Sequence, residues 1–119
     1  MTQPNTPGLT AEHVDGIAVL VVVGEIDMSN SDDLRTAAVD LLDSSTGLVL
    51  DLSGVTFFAS SGIAALARLR EHRASTDGPP VHLVSGSSVR RSLEVTAMDK
   101  LLPLHDTREQ AVKAVRAED

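Results

Sequence analysis

Two long apolar runs do most to decide what this chain can fold into. GIAVLVVVGEI, residues 16–26, carries aliphatic side chains at most positions rather than at alternate ones, and GLVLDLSGV, residues 47–55, opens with three in succession. A strand with one wet face alternates apolar and polar residues, so runs this continuous predict strands buried on much of both faces, with cover above and below. Residues 9–14 precede the first run across Asp15-Gly16, a dipeptide suited to a two-residue hairpin turn. They are expected to pair with it antiparallel.

Between and after the runs the period changes from strand to helix. Leu34, Ala37, Ala38, Leu41 and Leu42 recur at i, i+3, i+4, i+7 and i+8, behind the candidate caps Ser29, Asn30 and Ser31 and the first-turn acids Asp32 and Asp33. GIAALARLREHRA gives a second helix with Ile63, Leu66 and Ala67 on one face, ended by STDGPP. Beyond it, VHLV (81–84) reads as a short strand and SSVRRSLEVTAM as a third helix opened by Ser87 or Ser88. LLPLH reads as a brief edge strand, and DTREQAVKAVRA as a closing helix with Asp106 and Glu109 in the spacing of a capping box. The order β-β-α-β-α-β-α-β-α predicts an α/β fold: a mixed sheet with an N-terminal hairpin and right-handed parallel crossovers. Residues 1–8, rich in Pro and Thr, are expected to form a flexible lead-in, and 9–119 a single domain.

Composition excludes several functions. A net charge of −7 opposes a nucleic-acid surface, and the densest basic group, RLREHR, lies where cations complement a helix C-terminus. No apolar run approaches the ~20 residues needed to span a bilayer. The chain has no Cys and shows no apolar leader, so a soluble, cytoplasmic protein is expected. His13, His72, His82 and His105 lack metal-binding spacing and read as surface or strand-end residues, while the glycines form neither a dinucleotide nor a P-loop fingerprint. No metal and no cofactor is expected.

The chemistry concentrates in FFASSGIAAL, residues 57–66, where the only two aromatic residues of the chain run into Ser60-Ser61-Gly62 at the mouth of a helix. Of Phe57 and Phe58, one is expected in the core and the other near an interface. The serines have two readings. As plain helix caps they are worth ~1 kcal/mol. As a modification site they lie where unpaired N–H groups and the helix dipole favour an added phosphate, which brings a charge of about −1.5 to −2 and three acceptor oxygens. A hydrolase nucleophile needs a base and an oxyanion hole, and the flanking residues do not form G-x-S-x-G.

GEIDMSNS, LVLDLSGVTFFASSGIAAL and SSVRRSLEVTAMDKLLPLH together resemble, in order and spacing, the STAS domain of bacterial anti-sigma-factor antagonists. The resemblance covers nearly the whole chain after the lead-in and implies a mixed sheet with helices mainly on one side. It further implies a transcription regulator, not an enzyme, that works by partner switching, as in stress responses. The unphosphorylated antagonist binds an anti-sigma factor that is also an ATP-dependent serine kinase, freeing a sigma factor. Phosphorylation ends that binding and a PP2C-type phosphatase restores it. Ser60 matches the phosphoacceptor, with Ser61 the second choice, and Asp51 matches a strand-end acid. Asp27 matches the acid of the GE-x-D loop, and Asp27, Ser29, Asn30, Phe58, Ala59, Ser61, Gly62 and Ile63 form the expected partner-binding set. Ala59 departs from the Asp that the family usually carries before the acceptor. The resemblance leaves open a STAS scaffold or ligand-sensing module that is never phosphorylated, and a small serine hydrolase is the remote alternative. A monomer or weak dimer is expected.

Overall fold

A computed structural model of the chain describes residues 8–117. The elements follow the expected order: β1 (Leu9–Val14), β2 (Ile17–Ile26), α1 (Ser31–Ser44), β3 (Gly47–Phe58), α2 (Ser60–Ala74), β4 (His82–Ser85), α3 (Ser87–Val95), a 3-10 turn (Met98–Lys100), β5 (Leu104–His105) and α4 (Arg108–Ala117). They build one five-stranded sheet in the order β1-β2-β3-β4-β5. The β1/β2 pair is antiparallel and every other pair is parallel. At the hairpin both turn residues adopt positive φ, Asp15 at 53° and Gly16 at 85°. That is the primed geometry whose twist matches the flanking strands, and glycine meets it without strain.

Each apolar run is continuous because the sheet is covered on both sides. One face, with Ala18, Leu20, Val22, Leu48, Leu50, Leu52 and Leu83, packs against Leu34, Ala38 and Leu42 of α1, Leu66 and Leu69 of α2, and Val89 and Leu93 of α3. The alternate residues Ile17, Val19, Val49 and Val84 are covered by Ala111, Val112 and Val115 of α4. Three helices therefore share one side and the last seals the other. On the predicted faces of α1 and α2, Ala37, Leu41, Ile63 and Ala67 are half-buried at the rim of this core.

Several boundaries differ from the sequence reading. β3 runs three residues further than the expected 47–55, through Phe58, and outruns β4, which pairs only with Val49 to Leu52. α3 stops at Val95 because Thr96 turns its hydroxyl back onto the Ser92 and Leu93 carbonyls and Ala97 adopts φ 62°. Such back-bonding competes with helix propagation. The capping box of α4 is displaced by one residue: Thr107 Oγ1 accepts the Gln110 N–H, while Gln110 Oε1 accepts the Asp106 N–H. The Asp106 carboxylate instead meets Arg90. His82 and His105 stand at strand ends, as one of the two expected readings had it, and His82 is buried, with its Nδ1 2.8 Å from His105 Nε2. Of the expected lead-in, residues 1–7 lie outside the described residues, and Gly8 accepts a hydrogen bond from the Val23 N–H.

Candidate functional site

The site forms where β2 and β3 end side by side. Ile26 pairs with Phe58 in register, so the loop at 27–30 and the turn at 59–60 emerge as neighbours. Ala59 joins them: its N–H donates to the Ile26 carbonyl at 2.9 Å, and its own carbonyl accepts the Gly62 and Ile63 N–H groups. Ala59 is thus the N-cap of α2, in extended geometry, with no side-chain oxygen to offer. As the first two helical residues, Ser60 and Ser61 have N–H groups that the helix itself cannot pair.

The two serines differ in access. Ser60 is exposed, whereas Ser61 is half-buried with its Oγ sealed from solvent and without a hydrogen-bond partner among the described residues. Gly62 beneath them is a packing requirement. A Cβ at this position would stand 2.9 to 3.0 Å from Cζ, Cε1 and Cε2 of Phe58. The Phe58 ring, only 6% exposed, thereby sets the height of the first turn of α2 above the sheet. Of the expected partner-binding set, Phe58 and Gly62 are largely buried and support the turn from below. Ala59, Ser61 and Ile63 remain partly exposed. Phe57, with the opposite alternation, is 55% exposed.

The loop at 27–30 is braced from within. Asp27 Oδ1 accepts both the N–H and the hydroxyl of Ser29, at 2.9 and 2.6 Å. Asn30 Oδ1 accepts the Asp27 N–H, while its Nδ2 donates to the Glu25 carbonyl. The Ser29 hydroxyl and then its N–H hold the Asp27 carboxyl below the usual carboxylate range, so it is anionic at neutral pH. Ser29 and Asn30 thus spend much of their polar capacity on holding Asp27 in place, and Asn30 is the N-cap of α1 without bonding a helix N–H through its side chain. At the loop tip the apolar Met28 is 88% exposed.

Asp51 lies elsewhere. Its side chain is buried with the α4 face of the sheet, where Oδ2 receives Nε and Nη2 of Arg108 and Oδ1 receives the N–H and hydroxyl of Ser53. Arg108 Nη1 reaches on to Glu12, so one guanidinium ties α4 to β3 and β1. Burial alone would push the Asp51 carboxyl up. The Ser53 hydroxyl and N–H and then Arg108 outweigh it and hold it below its ordinary value.

No histidine stands beside Ser60. His82 pairs with Val49, nine residues back along β3 from Phe58, or about 30 Å of strand at ~3.3 Å per residue. His105 adjoins it, His13 pairs with Ala18 at the far end of β2, and His72 is about 18 Å along α2 at ~1.5 Å per residue. A histidine-activated serine nucleophile is excluded at this turn.

Three features went unread in the sequence: Met28, an apolar residue in a polar loop, and Arg91 and Val95 on α3. With Ser92 and Thr96 these α3 residues form one wall of a cleft of about 330 Å³ whose other wall is Phe58, Ser60 and Ile63. Val95 is 78% exposed. Among the described residues no cluster of His, Asp or Glu could hold a metal ion, and no helix is long and apolar enough to cross a membrane.

Fold and site together define an α/β domain whose distinctive feature is a surface turn at the ends of parallel strands. The chain belongs to the STAS domain family, whose model matches residues 9–111. RsfB of Mycobacterium tuberculosis, named an anti-sigma-F factor antagonist, is 33% identical over 117 residues, spanning 98% of this chain and 95% of the relative. The crystal structure of an anti-sigma factor antagonist from Mycobacterium paratuberculosis superposes with a TM-score of 0.84 at 35% identity, covering 98% of this chain and 99% of that one. A Thermotoga maritima structure, 23% identical with a TM-score of 0.81 over 91% of this chain and 94% of its own, shares the fold.

Proposed function

We infer that this protein is an anti-sigma-factor antagonist, active when unphosphorylated and switched off by phosphorylation of Ser60. The observation that carries the reading is the exposed Ser60 hydroxyl at the uncapped start of α2, held beside the braced Asp27 loop, in a chain similar along nearly its whole length to named antagonists. The partner is an anti-sigma factor with ATP-dependent serine kinase activity. It docks on a surface of Asp27, Met28, Ala59, Ser60 and Ile63, with Phe58 and Gly62 supporting that surface from below.

In the transfer, Ser60 Oγ forms a bond to the γ-phosphorus of ATP, the bond to ADP breaks, and the hydroxyl proton passes to a base of the kinase. A PP2C-type phosphatase hydrolyses the phosphoserine with water and returns the hydroxyl. The protein acts in the cytoplasm and supplies binding, not catalysis. The buried Ser61 hydroxyl favours Ser60 as the acceptor.

Incubation of wild-type, Ser60→Ala and Ser61→Ala protein with the anti-sigma kinase and ATP, read by intact mass, tests the assignment. One phosphoryl group is expected on wild type and on Ser61→Ala, and none on Ser60→Ala. Phosphate on Ser60→Ala protein at the wild-type rate refutes it.

A further inference from the structure

Ser60 opens onto the cleft between the start of α2 and the C-terminal half of α3, and the opposite wall carries Arg91. Arg91 is exposed and lines that cleft with Ser92, Val95 and Thr96. Its neighbour Arg90 is engaged by Asp106, and Arg108 and Arg116 are paired with Asp51, Glu12 and Asp15. Arg91 makes no ion pair among the described residues. In a chain with a net charge of −7, an unpaired arginine facing a modifiable serine is a distinctive local field.

Among the described residues no carboxylate lines the cleft. Ala59 adds none next to Ser60, Glu94 of α3 is not part of the lining, and the Asp27 carboxylate is turned to Ser29. A phosphate on Ser60 would therefore meet the free N–H groups of α2 on one side and Arg91 on the other. Arginine is the side chain whose planar fork binds phosphate bidentately.

We propose that Arg91 is the intramolecular receptor of the Ser60 phosphate: phosphorylation ties α2 to α3 across the cleft. The modified state then differs from the unmodified one in shape as well as in charge. The bridged phosphate and guanidinium roof the cleft between Ile63 and Val95, which is open when Ser60 carries only its hydroxyl. The proposal rests on Ser60 being the modified residue, and its test is independent of any kinase.

Full-length protein with phosphoserine incorporated at position 60 during translation is titrated by ³¹P NMR, alongside the same protein carrying Arg91→Gln or Arg91→Lys. An adjacent cation favours the dianion, so the wild-type phosphate should titrate about half a unit lower than in Arg91→Gln protein, with Arg91→Lys between them. Thermal melts of the unphosphorylated variants should coincide, since the side chain is exposed. A wild-type phosphate that titrates together with that of Arg91→Gln overturns the proposal. A kinase that never modifies Ser60 would sink the functional reading alone, because the phosphoserine here is installed by translation.

Discussion

Replacing Gly62 with alanine should destabilise the protein, although alanine is the better helix former. By propensity alone the exchange in a helix gains up to ~1 kcal/mol. The added Cβ, however, would lie 2.9 to 3.0 Å from three atoms of the Phe58 ring, where carbon contacts settle at about 3.5 to 4.0 Å. The ring is 6% exposed and part of the main core, so it cannot retreat without displacing its neighbours. Overpacking of this kind costs about 1 to 3 kcal/mol, leaving a net loss of ~1 kcal/mol, or a fall in Tm of about 4 °C. Urea and thermal melts measure it. In a Phe58→Leu background the collision disappears and the same Gly62→Ala change should turn neutral or stabilising. Greater stability of Gly62→Ala in the wild-type background would refute the claim that Phe58 sets the position of the Ser60 turn.

Two further outcomes are expected. Arg108→Ala should cost ~2 kcal/mol at neutral pH, the loss of charged hydrogen bonds to Asp51 and Glu12 moderated by the partial exposure of the arginine. Because the Asp51 carboxyl is held below its ordinary value in the fold, its contribution is present above about pH 4 and is lost as pH falls through its lowered folded pKa. The gap between wild-type and Arg108→Ala melts should therefore narrow in acid, and a gap independent of pH would contradict the clamp. Ala59→Asp places a carboxylate at an N-cap that has no side-chain acceptor and should add ~1 kcal/mol, raising Tm by about 4 °C. An unchanged Tm would show that the first amides of α2 gain nothing from a cap.

The architecture was legible because its signals are local or periodic. Continuous apolar runs marked β2 and β3, the i, i+3, i+4 recurrence marked α1, and Asp15-Gly16 marked the hairpin. The exposed serine at the head of α2 was legible for the same reason, as a small polar triplet between strand and helix. What escaped depends on partners far along the chain. Asp51 read only as a strand-end acid, and its partner Arg108, 57 residues away, places it in a clamp on the opposite face. Thr107, not Asp106, caps α4, and the aspartate meets Arg90 from 16 residues away. The β2/β3 register shifts at Val21/Val23 and Gly24/Glu25, which breaks the count of two, so nothing local said which phenylalanine points inward. Arg91 carried no signal until folding set α3 beside Ser60.

The central claim is that phosphate on Ser60 decides partner binding. Calorimetric titration of the anti-sigma factor with unphosphorylated protein, and separately with protein carrying phosphoserine at position 60, tests it most directly. A phosphate in the interface adds repulsion and desolvation, and an affinity at least about a hundredfold weaker, equivalent to ~2.8 kcal/mol, is expected for the modified form. Equal affinities for the two forms would contradict the account.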